Sequence, residues 1–260
     1  MSGNALTYPF SFPEQTRVRH DRLFGRPGRR TVLLALLVAT TATLTAHSIA
    51  TQHAPGCSVY RPATGRLLIA HAAGGLPNRK YANSIEALDR SYAHGLRYFE
   101  MDFHELPFGI MRAGHDATDV LDPREAWLSQ VLEWMRRHPD TYLFPDMKTD
   151  NVSGLRLIAA RAPDLRRRII PFLYNKGQYD GVHALGFAPP VYALFRGPEP
   201  GWREFANSHT LFAVAFPARL TDQIPTVHQR SIVYTYDVMV KTPQAWAVIT
   251  NCMVPGARQP

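Results

Sequence analysis

The chain has 260 residues, enough for one substantial core or two small ones. An apolar fraction of 45% is ordinary for a globular protein, and no solenoid-type repeat is visible. The formal charge of +8 is concentrated at the start, where six arginines face two acids before Val32, and no basic-and-aromatic repeat follows, so nucleic acid is not an expected partner.

Residues 1–31 read as a basic tail. Residues 32–46 (VLLALLVATTATLTA) are apolar and uncharged, and no lysine or arginine follows until Arg61. That asymmetry predicts a cytoplasmic N-terminus and an exported remainder. The strictly apolar part is shorter than the roughly 20 residues of a span, but extension through Ala50 makes it long enough. Residues 32–50 are therefore expected to be a signal anchor or a cleaved signal peptide, with a buried core helix as the alternative. Residues 51–65 form a linker and residues 66–260 the folded domain. That domain is expected on the far side of the membrane, periplasmic or extracellular, anchored or secreted, and as a monomer.

From residue 66 strand-like and helix-like runs alternate. LLIAH ends at His71 and precedes SIEALDRSYAHG, whose apolar residues recur at helical spacing. LRYFEMDF carries Glu100 and Asp102 and leads into an extended arm, FGIMRAGH, ending at His115. Asp122-Pro123 is a helix start before REAWLSQVLEWMRRH. TYLFPDM, the third strand, carries Asp146; RIIPFLY, VYALF, LFAVAF, SIVYTY and AVIT follow. This alternation predicts an α/β fold with a parallel sheet and crossover helices. About eight strands predict closure into a TIM-type (β/α)8 barrel, near the lower limit of ~200 residues for such a fold. The stretch 237–247 is too short for a helix and its loops, so the C-terminal end of the barrel is expected to be trimmed. An open doubly wound sheet is the rival, but no glycine-rich phosphate loop supports it.

Most of the chemistry-bearing groups sit at strand ends, and such residues converge at one mouth of a barrel. Glu100 and Asp102 are two positions apart and share one face of a strand. Two acids facing a barrel interior are costly without positive charge. A cation such as Mg2+ or Ca2+, which takes oxygen ligands, resolves this with Asp146 as third ligand. Lys148 could do so in part, as a structural ion pair. His71 and His115 supply a proton acceptor and a proton donor. A lone histidine at His71 would more often be a core residue; its company points to catalysis, and the set suits phosphodiester cleavage. Asn83 either helps hold the site or caps the following helix, and Asp116 either orients His115 or caps a loop. Arg196 and the run Tyr174-Asn175-Lys176 lie at strand ends. Cys57 precedes the first strand and Cys252 follows the last, and a bridge or two free thiols are both open.

IAHAAGG, YANSIEAL, the E-x-D of FEMDF and the final HD of IMRAGHD resemble the glycerophosphodiester phosphodiesterases. These belong to a barrel superfamily with the phosphatidylinositol-specific phospholipases C and the spider-type phospholipase D toxins. The resemblance is densest over residues 67–150 and continues weakly through the later strands. It implies a hydrolase of glycerophosphodiesters or phospholipid-derived phosphodiesters. A divalent cation, Mg2+ or Ca2+, is then held by Glu100, Asp102 and Asp146. His71 and His115 are the catalytic pair, His71 as base and His115 as acid or the reverse. Departures from the family pattern mark a divergent member. Ala72 stands where an arginine commonly holds the phosphate, which leaves Asn83, Lys148 and Arg196 as candidate substrate-binding residues. Ala82, Asn83 and Ser84 replace E-N-T and remove an acid. Asp146 replaces the usual Glu, as in the toxins. Leu106, Pro107, Phe108 and Gly109 replace the T-x-D-G turn. Two alternatives remain open on these grounds: a headgroup-binding barrel without turnover, and a lipid phosphodiesterase of the toxin type.

Overall fold

The computed structural model describes residues 67–76, 79–234 and 244–251, all within one compact unit, Thr51–Pro260. The apolar run at 32–50, the linker and both cysteines lie outside the described residues. Among the described residues no helix is long and apolar enough to cross a membrane.

Among the described residues nine strands form: β1 (Leu67–Ala70), β2 (Tyr98–Glu105), β3 (Met111–Ala113), β4 (Tyr142–Met147), β5 (Phe172–Leu173), β6 (Val191–Ala193), β7 (Ala213–Pro217), β8 (Ser231–Tyr234) and β9 (Ala247–Thr250). Helices α1 (Ile85–Ala93), α2 (Leu128–Arg137), α3 (Asn151–Arg161), α4 (Tyr179–His183) and α5 (Trp202–Ser208) lie between them. Parallel pairing runs β4-β2-β1-β9-β8-β7-β6-β5. A parallel bridge between Leu143 and Ile169, with the Ile170 N–H donating to Leu143 O at 2.8 Å, carries the pairing from β4 to β5. The sheet thus curls round as the alternation of strand and helix patterns predicts. Only β3 departs: it folds back antiparallel on the outer end of β2, pairing Phe103 with Ala113.

Side-chain alternation divides the core in two. Ile69, Phe144, Phe172, Val191, Ala215 and Ile249 point inward and pack on one another inside the ring. Met101, Phe103, Leu143 and Val214 point outward, in one cluster with Leu88, Leu132, Trp134 and Ile158 of the helices. Each buried Val, Leu, Ile, Phe or Met side chain among these contributes about 1.5–3 kcal/mol of transfer free energy. The inward parity that places Ile69 and Phe144 in the interior also delivers Glu100, Asp102 and Asp146 there.

One local expectation shifts. The second helix starts at Leu128, not at Asp122-Pro123. Residues 126 and 127 are held extended instead: Trp127 bridges Arg112, and the Ala113 N–H donates to Ala126 O at 2.8 Å. Most of the stretch 237–247, where trimming is expected, lies outside the described residues, and short crossovers already occur before it. Helix α4 has 5 residues, α5 has 7, and β7 reaches β8 through 3-10 turns over Ala218–Thr226, with Pro225 inside. Pro225 lacks the N–H that an α-helix interior requires.

Candidate active site

The site is built on the C-terminal ends of the inward-facing residues. His71 follows β1 in the run HAAGG. Ala72 and Ala73 both adopt left-handed backbone, with φ of 49° and 65°, which costs a residue with a Cβ on the order of 1 kcal/mol or more. That turn aims the Ala72 N–H at Glu100 Oε2, 2.8 Å away. Gly75 lets the turn lie close to β9: a Cβ there would stand 2.8 Å from the carbonyl oxygen of Asn251. Asn251, one residue past β9, accepts from His71 Nδ1 at 2.6 Å. With Nδ1 carrying the hydrogen, Nε2 is left as the proton acceptor, 3.8 Å from Glu100 Oε2. Burial holds the His71 pKa below the usual 6.5, against the opposing pull of the Asp102 charge and the Asn251 bond. The ring is therefore a neutral base at neutral pH.

Glu100, Asp102 and Asp146 converge, with one oxygen of each within 4.8 Å of the others. Asp102 and Asp146 are direct partners in the register of β2 with β4, a placement that is unfavourable for like charges unless something neutralises them. Lys148 supplies part of that neutralisation, its Nζ lying 2.7 Å from both Asp102 Oδ1 and Asp146 Oδ2. Tyr174 donates a short hydrogen bond to Asp146 Oδ1 and accepts from the Met147 N–H at 3.1 Å. Three carboxylates against one ammonium leave two negative charges, which a divalent cation would balance. The proton affinity of Glu100 points the same way. Burial raises its pKa well above 4.5, and the charges of Asp102 and Asp146 raise it further, outweighing Lys148 and the Ala72 N–H. The donor set of hard oxygens fits Mg2+ or Ca2+.

Asn83 makes two hydrogen bonds to Asp102. Its Nδ2 donates to Asp102 Oδ2 at 2.8 Å and its Oδ1 accepts from the Asp102 N–H at 3.0 Å. Ser84, not Asn83, caps α1, accepting from the Ala87 N–H at 3.2 Å. His115 follows β3, where the Gly114 N–H donates to Asp102 O at 3.1 Å. Asp116 Oδ1 lies 3.1 Å from His115 Nδ1.

His71, Glu100, His115, Asp146 and Lys148 line a cavity of about 200 Å3, together with the apolar or aromatic Phe172, Phe195, Tyr234 and Ile249. Arg196 is exposed and does not line this cavity. Arg196 lies in the turn that follows β6, where the Gly197 N–H donates to Leu194 O at 3.1 Å, while Phe195 packs with the inward cluster. The reading of the sequence missed Asn251, Tyr174 as partner of Asp146, and Tyr81. Position could have flagged the first two, since Tyr174 and Asn251 end strands as the acids do. No local signal marks Tyr81.

No family model and no curated protein sequence matches the chain. Solved structures do. A glycerophosphodiester phosphodiesterase from Parabacteroides distasonis superposes with a TM-score of 0.57 at 16% identity, over 72% of this chain and 93% of that one. A putative glycerophosphodiester phosphodiesterase from Galdieria sulphuraria gives 0.59 at 12% identity, over 72% and 94%. A phosphodiesterase from Oleispira antarctica, solved with its product sn-glycerol-3-phosphate, gives 0.55 at 13% identity, over 72% and 93%. The fold described above is the fold of these proteins.

Proposed function

We propose that this chain is a divergent glycerophosphodiester phosphodiesterase, a metal-dependent phosphoric diester hydrolase. The observation that carries the reading is one cavity lined at once by His71, His115, Glu100, Asp146 and Lys148, in a fold shared with phosphodiesterases. Glu100, Asp102 and Asp146 would hold Mg2+ or Ca2+. When bound, the cation would stabilise negative charge on the phosphoryl oxygens.

The residues of the chain do the rest. Asn251 holds the His71 tautomer so that Nε2 takes the proton of the attacking hydroxyl. His115, oriented by Asp116, gives a proton to the departing alcohol. Lys148 contributes a fixed positive charge at the cavity wall, part of the role that an arginine at position 72 would have filled. Asn83 fixes Asp102 from two sides, so this buried carboxylate keeps its orientation.

A second reading is favoured by the aromatic lining of the cavity. Phe195 and Tyr234 stand in contact, ring centroids 3.8 Å apart, beside Phe172 and Ile249. Such a lining suits a phosphodiester carrying an apolar group, as in the toxin-type lipid phosphodiesterases. The apolar run at 32–50 behind an arginine-rich tail supports an exported or anchored domain near such substrates. Protease treatment of intact spheroplasts tests this: digestion of the domain is expected, and full protection would overturn export.

The activity test is the purified full chain, incubated with glycerophosphodiesters and lysophospholipids in EDTA and then in Mg2+ or Ca2+. Turnover that requires the cation and is lost in His71→Ala and in His115→Ala is expected. Absence of turnover on every phosphodiester, with binding retained, would instead establish a non-catalytic headgroup-binding barrel. Release of a headgroup from the lysophospholipid, or of a cyclic lipid phosphate, would identify the lipid-type reaction.

A further inference from the structure

Neither the charge balance of the acidic cluster nor the proton path accounts for Tyr81. Its ring stacks on His115, with centroids 4.2 Å apart and planes 14° from parallel. The same ring meets His71 edge-on at 5.3 Å. Tyr81 does not line the cavity that both histidines line, so it backs the two imidazoles and does not fill the space between them.

The segment that carries it is tightly fixed. Leu76 and Arg79 exchange two backbone hydrogen bonds of 2.9 and 3.0 Å. The Arg79 guanidinium donates to Ala82 O at 2.6 Å and binds the buried Glu125 carboxylate. The Asn83 N–H donates to Ala72 O at 2.9 Å, and Asn83 O accepts from the Ala126 N–H at 3.0 Å. Its side chain is in turn clasped to Asp102. Tyr81 is thus bracketed on both sides by anchored residues. His115 is not: it lies beyond the end of β3, a third of its side chain is exposed, and its polar partner Asp116 is 75% exposed. A solvent-exposed hydrogen bond is a weak restraint. The stacked ring is the stronger one, because a stacked aromatic pair prefers one offset geometry.

We propose that Tyr81 is a positioning residue: its ring sets the plane of His115 and its spacing from His71, so that acid and base face one phosphodiester from fixed positions. This rests on the phosphodiesterase reading above for its catalytic consequence, but not for its geometry. The stack needs the ring and not the hydroxyl. Tyr81→Leu should therefore lower kcat roughly 3- to 10-fold, the worth of one aromatic pair, with KM little changed. Tyr81→Phe should recover most of that loss.

The test joins kinetics on a glycerophosphodiester with NMR of the full chain carrying 13C-labelled histidine, the signals of His71 and His115 assigned through His71→Asn and His115→Asn. In the wild type the His115 ring protons are expected upfield, shielded by Tyr81. Tyr81→Leu should move them downfield while Tyr81→Phe leaves them in place. An unshielded His115 signal in the wild type overturns the proposal, as does a Tyr81→Leu chain with unchanged kcat. So does a Tyr81→Phe chain that loses as much as Tyr81→Leu, because the hydroxyl would then be the working group. A wild type without turnover would sink the phosphodiesterase reading, and the histidine signals would still decide whether Tyr81 backs the pair.

Discussion

Replacing Lys148 by methionine keeps the volume of the side chain and removes its charge. The ammonium lies 2.7 Å from an oxygen of each of two carboxylates, and its side chain is 23% exposed against 0% for Asp102 and 14% for Asp146. Removing one partner of a buried pair leaves the other charge uncompensated, at a cost of about 3–5 kcal/mol. For a domain of this size that lowers Tm by roughly 10 °C. The loss is limited by proton uptake: Glu100 already has a pKa raised well above 4.5, and without Lys148 it holds its proton to still higher pH. The variant should therefore be closer to the wild type in stability at pH 5 than at pH 8, since a raised carboxyl pKa gives stability that is lost as pH rises. Divalent cation should act in the opposite order. In the wild type a cation must share Asp102 and Asp146 with the ammonium; in Lys148→Met it meets all three carboxylates unopposed. A cation at about 100 times its Kd stabilises by roughly 2.7 kcal/mol, and the gain in Tm should be larger in the variant. Thermal unfolding of both chains in EDTA and in a Mg2+ or Ca2+ series measures this. Equal Tm values in EDTA, or equal gains on adding cation, would refute the charge balance assigned to the cluster.

Asn251→Leu removes the acceptor of His71 Nδ1 and should lower kcat roughly tenfold, the worth of one hydrogen bond of about 1.5 kcal/mol; unchanged kcat would remove Asn251 from the site. Because burial holds the His71 pKa below 6.5, the acid limb of the pH profile of kcat/KM should fall below that value, and a limb at or above it would contradict His71 as the base. Burial pushes the Glu125 carboxyl up to about 8 from 4.5, against the pull of Arg79. Its contribution to stability is then complete below about 4.5 and is lost as pH rises towards 8. Glu125→Gln should flatten that part of the curve in urea unfolding, and an unaltered slope would show that the group does not carry it.

The parts of this molecule that were legible in the sequence are those governed by short periods. Two-residue alternation places Glu100 with Asp102, and it fixes the inward face of every strand. The start of α2 was misread because Asp122-Pro123 is a sound helix signal, while the bridge of Trp127 to Arg112 that overrides it is a tertiary contact. The same holds for the cap of α1, which fell to Ser84 once Asp102 had claimed the side chain of Asn83. His71 and Asn251 are separated by 180 positions, and Tyr81 reaches His115 only because β3 turns back on β2. Such pairs follow from closure of the barrel, which no local pattern encodes.

The most direct measurement is a structure of the full chain with Mg2+ or Ca2+ and sn-glycerol-3-phosphate. One cation is expected at Glu100, Asp102 and Asp146, with the phosphate between His71 and His115 and in reach of Lys148. A cation bound elsewhere, or a phosphate beyond reach of either histidine, would contradict this arrangement.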